Sequence, residues 1–357
     1  MRPRPGSLTA PAGGFRHIAV IRLSSLGDVI LTLPVVHTLA RAFPEARIWY
    51  WTKEEYQDVV RHDPAIHHVR ALEPDARRIE DLVSMGAEME DADLIVDLHG
   101  NTRSRVLSFR QRAPVLRAPS FRLRRAARVH ARWARLRVPP TALERYAAAL
   151  APLGLMPAVL PRVSAGEEAE SWAAEWLAGW GIGTPLVLLP GARHFTKRWP
   201  EAHWLALVEE LLAAGHPILC ASLVAERHAL PALAARLDAE PRARWVCEPL
   251  PRIAALLSRS AAAVACDSGL MHLAAARGIP VVALFGSTAP ELGFAPAGEG
   301  HVVLCRHEPC QPCTIHGRPS CPRKHFRCML GIEPHSVFQQ VLGLAEAPAR
   351  VAVQPPR

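Results

Sequence analysis

The sequence alternates between short apolar runs, polar loops and amphipathic stretches, and it does so in two successive series. Apolar runs of four to six residues bounded by turn residues favour buried strands, and the longer stretches favour helices. Strands are expected at 17–22, 47–51, 66–70, 94–98, 186–189, 218–221, 245–247, 262–266 and 281–285. Helices are expected to end at Phe43 and to cover 200–215, 226–237, 252–259 and 270–277. This alternation predicts parallel sheets with helices on both faces.

The fold class is therefore α/β, with two Rossmann-like, doubly wound domains facing each other across a cleft. The expected divisions are a disordered tail (1–14), an N-terminal domain (15–160), a linker (161–184), a C-terminal domain (185–345) and a second tail (346–357). Ligands of such sheets bind at the carboxyl ends of the strands. The cleft should accordingly be lined by loops 23–28, 99–105, 190–199, 222–226 and 267–272.

The net charge of +9 comes from one segment of the chain. Lys and Arg number 42 and Asp and Glu 33. Twelve of the arginines lie between Arg103 and Arg137, in a stretch from Leu98 to Leu143 that has no Asp, Glu or Lys. The rest of the chain carries 30 basic and 33 acidic residues, a net charge of −3. An anionic partner is therefore expected at Arg103–Arg137, unless these arginines form only a solvated basic face or reflect genome composition.

The sequence has no candidate membrane span and no secretory signal. The apolar stretch 18–36 is interrupted by Arg22 and Asp28, and the first residues are rich in Pro and Gly without an apolar core. We expect a cytoplasmic protein whose eight cysteines are reduced.

The segment from Asp267 to His272 is a candidate phosphate site. A strand that ends in Asp-Ser-Gly and opens a helix presents free backbone N–H groups at the positive end of the helix dipole. Gly269 permits close approach of the backbone, and Ser268 offers a hydroxyl donor. The alternative is an ordinary helix cap with His272 merely packed.

Three further charged residues stand at strand ends. Lys197, one of only three lysines, could place its ammonium on a diphosphate, although its loop could also be simply solvated. Asp28 could serve as a general base, or could only cap a helix. Glu226 could accept hydrogen bonds from ribose hydroxyls, or could be a first-turn helix residue favoured by the dipole.

Several common cofactor motifs are missing. There is no GxGxxG after a strand and no GxxxxGK[ST], which disfavours dinucleotide dehydrogenases and P-loop enzymes. No acidic DxD-type pair at a strand end calls for a metal on a diphosphate. Cys310, Cys313, Cys321 and Cys328 could bind a structural zinc, but they contain a single CxxC. Packed or redox-sensitive thiols are the favoured interpretation.

Five segments together resemble glycosyltransferase family 9, the ADP-heptose:lipopolysaccharide heptosyltransferases. They are IRLSSLGDVILTLP (21–34), DLHGNTRS (97–104), LLPGARHFTKRWPE (188–201), DSGLMHLAAARGIPVVALFGSTAPE (267–291) and CQPCTIHGRPSCPRKHFRCM (310–329). The resemblance implies a GT-B fold, in which the N-terminal domain binds the acceptor and the C-terminal domain the nucleotide sugar. It also implies inverting heptose transfer from ADP-heptose with no required cofactor or metal.

The resemblance also implies roles for individual residues. Asp28 falls where the family has its general base, and Lys197 where the donor phosphates are held. The donor-binding residues would be Gly191, Arg193, Lys197, Glu226, Asp267, Ser268, Gly269 and His272. The acceptor-binding residues would be Ser25, Gly27, Asp97, His99, Arg103 and Arg105. The chain has Ala192 and Arg193 where some relatives have hydroxyl residues, and Arg193 offers a second cation.

The implied partner is a phosphorylated, Kdo-bearing lipid A core at the cytoplasmic face of the inner membrane. Arg103–Arg137 would then dock the protein, expected as a monomer, on an anionic membrane surface. The spacing of Arg124, Arg128, Arg132 and Arg135 would place them along one helical face. One alternative is a GT-B enzyme with another nucleotide sugar, including an epimerase. A nucleic-acid-binding protein is the other, but the Arg-rich stretch offers few aromatic residues for base stacking, and no nucleic acid is expected.

Overall fold

The computed structural model describes residues 8–72, 79–130 and 138–347, and these form two parallel sheets. The strands of the first sheet are β1 (His17–Ile21), β2 (Arg47–Lys53), β3 (His68–Leu72), β4 (Leu94–Asp97) and β5 (Val115–Arg117). Those of the second are β6 (Leu186–Leu189), β7 (Ile218–Ala221), β8 (Ala243–Val246), β9 (Ala262–Cys266), β10 (Val281–Phe285) and β11 (Val302–Cys305). The predicted α/β class with two doubly wound domains is confirmed.

Helices cover the sheets and connect their strands. In the N-terminal half they are α1 (Leu26–Ala42), α2 (Gln57–Val60), α3 (Ile79–Ala87), α4 (Thr102–Leu107), α5 (Arg122–His130) and α6 (Ala142–Ala147). In the C-terminal half they are α7 (Glu167–Trp180), α8 (Glu201–Ala213), α9 (Val224–His228), α10 (Pro231–Asp238), α11 (Leu250–Leu257), α12 (Gly269–Ala276), α13 (Arg327–Leu330) and α14 (Pro334–Glu346). In the part of the chain that the structure covers, every helix is too short or too polar to serve as a membrane span.

The two sheets share one topology over five strands, and the second sheet adds a sixth strand at one edge. The first has the strand order β3-β2-β1-β4-β5, and the second has β8-β7-β6-β9-β10-β11. In each sheet, the first three strands in chain order lie side by side toward one edge, and the fourth strand lies on the other side of the first. The strand order therefore reverses between the first and the fourth strand. Such a topological switch point is where open α/β sheets bind ligands. The register is set by apolar pairs such as Ile18 with Leu94 and Leu188 with Val264.

One apolar core connects the two domains. Helix α1 is buried along most of its length, and α12 likewise, because the two helices pack against each other as well as on their own sheets. Leu33 and Met271 are completely buried members of the same apolar cluster, which reaches from the first sheet to the second. A helix that is apolar on most sides needs such burial on several faces.

The structure changes some of the expected elements. The helix predicted at 226–237 is two helices, because Pro231 starts α10 and leaves Leu230 outside both. The predicted linker contains α7, which packs on α11 of the C-terminal domain. Arg277 of the C-terminal domain also bonds to this segment, because its Nη1 donates to Val163 O at 2.6 Å. The edge strands β5 and β11 were absent from the sequence prediction.

The predicted tails and the predicted helical arginine face are described by the structure only in part. Of the expected tail 1–14, residues 8–14 lie against the first domain, where Leu8 N donates to Pro152 O at 2.8 Å. Residues 1–7 and 348–357 lie outside the described residues. So do Arg132, Arg135 and Arg137, which means that the predicted helical arginine face is described only for Arg124 and Arg128 on α5.

Candidate active site

The predicted catalytic residues and most of the predicted donor-binding residues lie at the two switch points. Asp28 lies in the first turn of α1, just after β1, and the loop after β6 carries Lys197. Strand β4 lies next to β1, and the loop that follows β4 contains His99. Strand β9 lies next to β6, and the loop that follows β9 contains Ser268, so both residues also lie at the switch points. The carboxyl ends of strands thus gather the residues that sequence analysis singled out.

In the N-terminal half-site, formed by Arg22, Ser25, Asp28 and Tyr146, the polar groups bond to one another. Arg22 Nη2 lies 2.9 Å from Asp28 Oδ2. Ser25 Oγ donates to the same oxygen at 3.0 Å. Ser25 N also donates to it at 3.3 Å, and this bond is half of a capping box at the start of α1. Tyr146 OH donates to Asp28 Oδ1 at 2.5 Å. Asp28 therefore helps to cap the helix as its N3 residue, with Ser25 at the N-cap, and it also takes part in a charged network.

The environment of Asp28 keeps its carboxyl group ionised. Burial favours the neutral acid, but the positive charge of Arg22 and the hydrogen bonds from Tyr146 and Ser25 outweigh it and lower the pKa of Asp28 to about 2. The side chain is 15% exposed. A carboxylate held in this way is ready to accept a proton at any physiological pH, and its basicity is low until a donor contact is lost.

Sequence reasoning missed two residues of this half-site. Arg22 directly follows the apolar residues of β1. A charged group at the end of a buried strand needs a partner, and this position is the sequence signal that could have identified Arg22. It also donates from Nη1 to Leu98 O at 2.7 Å, joining the loops after β1 and β4. Tyr146 lies 118 residues from Asp28 in the chain, and no local pattern indicates it.

The C-terminal half-site is formed by Lys197, Asp267, Ser268, His272 and Thr288. Its lysine forms an ion pair with Asp267. Lys197 Nζ lies 2.8 Å from Asp267 Oδ2, and both side chains are largely buried. Thr288 Oγ1 donates to the same oxygen at 2.6 Å. Asp267 thus holds the ammonium in place at the end of β9.

Two buried polar atoms of the C-terminal half-site have no hydrogen-bond partner among residues 8–72, 79–130 and 138–347. They are Ser268 Oγ, at the N-cap of α12, and His272 Nδ1. Burial lowers the pKa of His272 to about 4, with Lys197 adding to the effect and the two nearby carboxylates opposing it. His272 is therefore neutral at pH 7. Buried polar atoms without partners are uncommon in native proteins and indicate a place where a ligand can bond.

The two half-sites touch each other. A Cβ atom on Gly27 would lie 2.4 Å from His272 Cδ2, and one on Gly269 would lie 2.7 Å from the Leu26 side chain. Only glycine allows the first turn of α1 to lie against the imidazole, and the same holds for the first turn of α12 against Leu26. The predicted base and the predicted phosphate site therefore lie on opposite sides of one narrow contact.

The other predicted donor residues lie beside this centre. Glu226 is half-buried in the first turn of α9, where its Oε2 accepts from Leu223 N at 3.0 Å. Its carboxylate packs on the backbone of Gly191, where a Cβ atom would come within 2.1 Å. Arg193, two residues further on, is exposed. The structure thus brings together Gly191 of the loop after β6 and Glu226 of α9.

Asp97, which was predicted to contact an acceptor, has both carboxylate oxygens engaged within its own loop. Its side chain is fully buried, and its Oδ1 accepts from the backbone N–H groups of His99 and Gly100 at 3.0 and 2.8 Å. Oδ2 accepts from Ser104 Oγ at 3.0 Å. Asp97 therefore shapes the loop that presents His99, while Arg103 is half-buried and Arg105 exposed on the adjacent helix α4.

The cysteine-rich segment 305–328 lies against the Lys197 loop. Arg318 N donates to Thr196 Oγ1 at 2.8 Å, and Thr196 N donates back to Arg318 O at 3.1 Å. All eight cysteines are free thiols. Cys310 Sγ lies 3.8 Å from His325 Nε2, but the described residues contain no group of three or more side chains placed to hold a metal. The structure therefore gives the zinc site weighed above no support.

Comparison with known proteins gives a consistent result. The family profile described as glycosyltransferase family 9 (heptosyltransferase) matches residues 86–321. Lipopolysaccharide heptosyltransferase 1 of Pseudomonas aeruginosa is 32% identical over 93% of this chain and 98% of its own length. Two solved structures share the fold: a family 9 glycosyltransferase from Veillonella parvula (TM-score 0.77, 22% identity, 92% of this chain and 97% of that one) and ADP-heptose LPS heptosyltransferase II of Escherichia coli (TM-score 0.72, 21% identity, 92% of this chain and 98% of that one).

The two parallel sheets, with polar residues gathered at facing switch points, have the GT-B fold, and the family profile makes the chain a glycosyltransferase with that fold. The family profile and the P. aeruginosa relative each match most of the chain, and they narrow the enzyme class to one family. The chain belongs to glycosyltransferase family 9, the heptosyltransferases.

Proposed function

We propose that the protein transfers heptose from ADP-heptose, with inversion, to the Kdo- or heptose-bearing lipid A of the lipopolysaccharide inner core. Asp28 takes the proton of an acceptor hydroxyl, the hydroxyl oxygen bonds to the anomeric carbon, and ADP leaves with the electron pair of the broken bond. The observation that carries the proposal is the close approach of Gly27 to His272, because it puts the Asp28 carboxylate beside the first turns of α12, the candidate phosphate site.

The C-terminal half-site supplies what a departing diphosphate needs. Lys197 offers an ammonium, and Ser268 and the first turn of α12 offer hydrogen-bond donors at the positive end of a helix dipole. Preorganised donors of this kind are each worth roughly 3–4 kcal/mol of barrier, by comparison with single-donor deletions in other enzymes. The carboxylate of Glu226, beside Gly191, is suited to ribose hydroxyls.

Known proteins support the choice of donor and acceptor. The relative that matches almost the whole chain is named a lipopolysaccharide heptosyltransferase, and structures of E. coli heptosyltransferase WaaC, which share this fold, hold ADP or ADP-2-deoxy-2-fluoro heptose.

The decisive experiment supplies ADP-heptose together with truncated lipid A acceptors of defined structure. The proposal predicts an acceptor mass increase of one heptose and release of one ADP for each heptose transferred. UDP-sugars serve as the donor control. Isomerisation of the sugar nucleotide without acceptor would instead identify an epimerase, and transfer from a UDP-sugar alone would identify another glycosyltransferase.

We further propose that the arginine-rich segment docks the protein on the anionic cytoplasmic face of the inner membrane. Two of its arginines are used within the protein: Arg117 lies 3.4 Å from Asp97, and Arg125 is buried. Others are exposed or half-buried, namely Arg103, Arg105, Arg110, Arg112, Arg124 and Arg128. Leu123 and Phe109 lie among them in sequence and are 87% and 64% exposed. Arginines near an anionic bilayer contribute about 1 kcal/mol each, and exposed apolar side chains can insert.

Sedimentation with vesicles tests this docking. Binding should require anionic lipid and weaken as salt rises, because exposed charges are screened. Leu123→Ser should weaken it further, since an inserted leucine contributes about 1.5–3 kcal/mol. The matched control is Leu330→Ser, which changes a partly exposed leucine of the C-terminal domain and should leave binding unchanged. Equal binding to zwitterionic vesicles, or binding that ignores salt, would refute the docking.

A further inference from the structure

Tyr146 contacts the predicted base from a part of the chain that none of the motifs covers. It lies on α6, it is 1% exposed, and its hydroxyl donates to Asp28 Oδ1 at 2.5 Å. Tyrosine hydroxyls that are buried usually find a partner in the core, as Tyr50 OH does with Thr32 Oγ1 at 2.6 Å. Tyr146 instead bonds to a carboxylate at the domain contact.

The two oxygens of Asp28 differ in how many donors they meet. Oδ2 meets Arg22 Nη2, Ser25 Oγ and Ser25 N at 2.9, 3.0 and 3.3 Å. For Oδ1, the only donor in the described part of the chain is Tyr146 OH. Because each carboxylate oxygen can accept about two hydrogen bonds, Oδ1 keeps one acceptor position, whose direction is fixed by the tyrosine.

The tyrosine itself is held from several sides. The guanidinium groups of Arg22 and Arg145 lie 5.1 and 5.4 Å from the centroid of its ring. At the beginning of α6, Ala142 N donates to Gly293 O of the C-terminal domain at 2.9 Å. Gly293 has φ of +87°, and a Cβ atom there would lie 2.7 Å from Thr141 Cα. Helix α6 is thus fixed to the C-terminal domain at one end and bonded to Asp28 near the other.

We propose that Tyr146 is a positioning residue for Asp28, which keeps Oδ1 oriented to receive the proton of the acceptor hydroxyl. Tyr146 keeps its own proton throughout. The acceptor proton moves to Oδ1 while the new glycosidic bond forms and the bond to the ADP oxygen breaks. The inference rests on the proposed function in taking Asp28 as the base of the transfer, and it adds a residue whose contribution is geometric.

The test compares Tyr146→Phe with Tyr50→Phe in the full-length protein. Both changes remove the hydroxyl of a completely buried tyrosine in the same domain, so both should lower thermal stability to a similar degree. Tyr146→Phe should lower kcat roughly 10- to 100-fold, the cost of a misplaced catalytic group, and should leave the KM for ADP-heptose within about twofold. Tyr50→Phe should keep the wild-type kcat.

Two pH measurements separate positioning from general damage. Losing a hydrogen bond to the ionised carboxylate raises the pKa of Asp28, so the acid limb of the kcat profile should move to higher pH in Tyr146→Phe alone. The carboxyl-carbon NMR titration of Asp28 should shift in the same direction, and it requires no turnover.

The outcomes are distinct. Unchanged kcat and an unchanged Asp28 titration in Tyr146→Phe would overturn the positioning role, as would equal losses in both variants. If the wild-type protein transfers no heptose while the titration still shifts in Tyr146→Phe alone, the proposed function fails and the control of the Asp28 carboxylate by Tyr146 stands.

Discussion

The two half-sites occupy equivalent places in equivalent sheets, but their polar groups are satisfied to different degrees. In the N-terminal half-site, the Asp28 carboxylate already meets donors from Arg22, Ser25 and Tyr146. In the C-terminal half-site, Ser268 Oγ and His272 Nδ1 are buried without a partner in the described residues. The first arrangement suits a group that has to be held ready for proton transfer. The second suits a surface that gains hydrogen bonds when a donor substrate binds.

The largest effect should come from Asp28→Asn, which keeps the shape of the side chain and removes its ability to accept a proton. We expect kcat to fall by about 10²–10⁴-fold, while ADP affinity measured by calorimetry stays near that of the wild type. If ADP binding falls as much as turnover, the division of work between the half-sites is wrong.

Lys197→Met should lower both quantities. Removing one donor at a developing anion costs about 10²–10³-fold in kcat, and ADP should also bind more weakly, because the ammonium is proposed to hold the diphosphate in the ground state. The substitution also leaves Asp267 buried with Thr288 as its remaining donor at Oδ2. The double variant with Asp267→Asn should recover stability and not ADP affinity; recovery of both would mean that Lys197 only neutralises Asp267.

His272 makes the C-terminal half-site sensitive to acid. Its pKa is about 4 in the folded protein and near 6.5 when unfolded, so between these values the unfolded chain binds more protons. Stability is therefore full above about pH 6.5 and falls toward pH 4, by up to about 3 kcal/mol. Urea unfolding at pH 7 and pH 5 should show a smaller acid loss in His272→Gln than in the wild type. An identical loss in both proteins would assign the acid sensitivity to other groups.

The smallest change tests the contact that joins the half-sites. Gly27→Ala places a methyl group 2.4 Å from His272 Cδ2, and relieving such an overlap should cost about 1–3 kcal/mol of stability. Turnover should fall as well, since Asp28 follows one residue later. Gly179→Ala, on helix α7 with open space around its Cα, is the matched control and should be neutral or slightly stabilising. Equal melting temperatures for Gly27→Ala and the wild type would show that the contact gives way easily.

The sequence predicted the elements that a local pattern determines. Lys197, Asp267 and Ser268 lie where strand-loop-helix patterns put them, because the carboxyl ends of parallel strands converge. Tyr146 was not predicted, because its partner Asp28 is 118 residues away in the chain and the two meet only through the packing of α6 on α1. Asp97 was assigned to the acceptor by the family resemblance. The local pattern could not test that assignment, because a carboxylate at a strand end has the same sequence signature whether it faces a ligand or its own loop.

The continuous apolar core through α1 and α12 determines which part of the molecule can be exchanged as a unit. Cutting the chain between the domains would expose the buried faces of both helices, so neither half is suited to expression by itself. A chimaera that borrows the C-terminal domain of a relative should therefore also borrow the surface of α1 that faces α12. Motion between the domains is restricted for the same reason: small sliding of packed helices keeps the core closed, whereas a wide hinge opening would expose it to water.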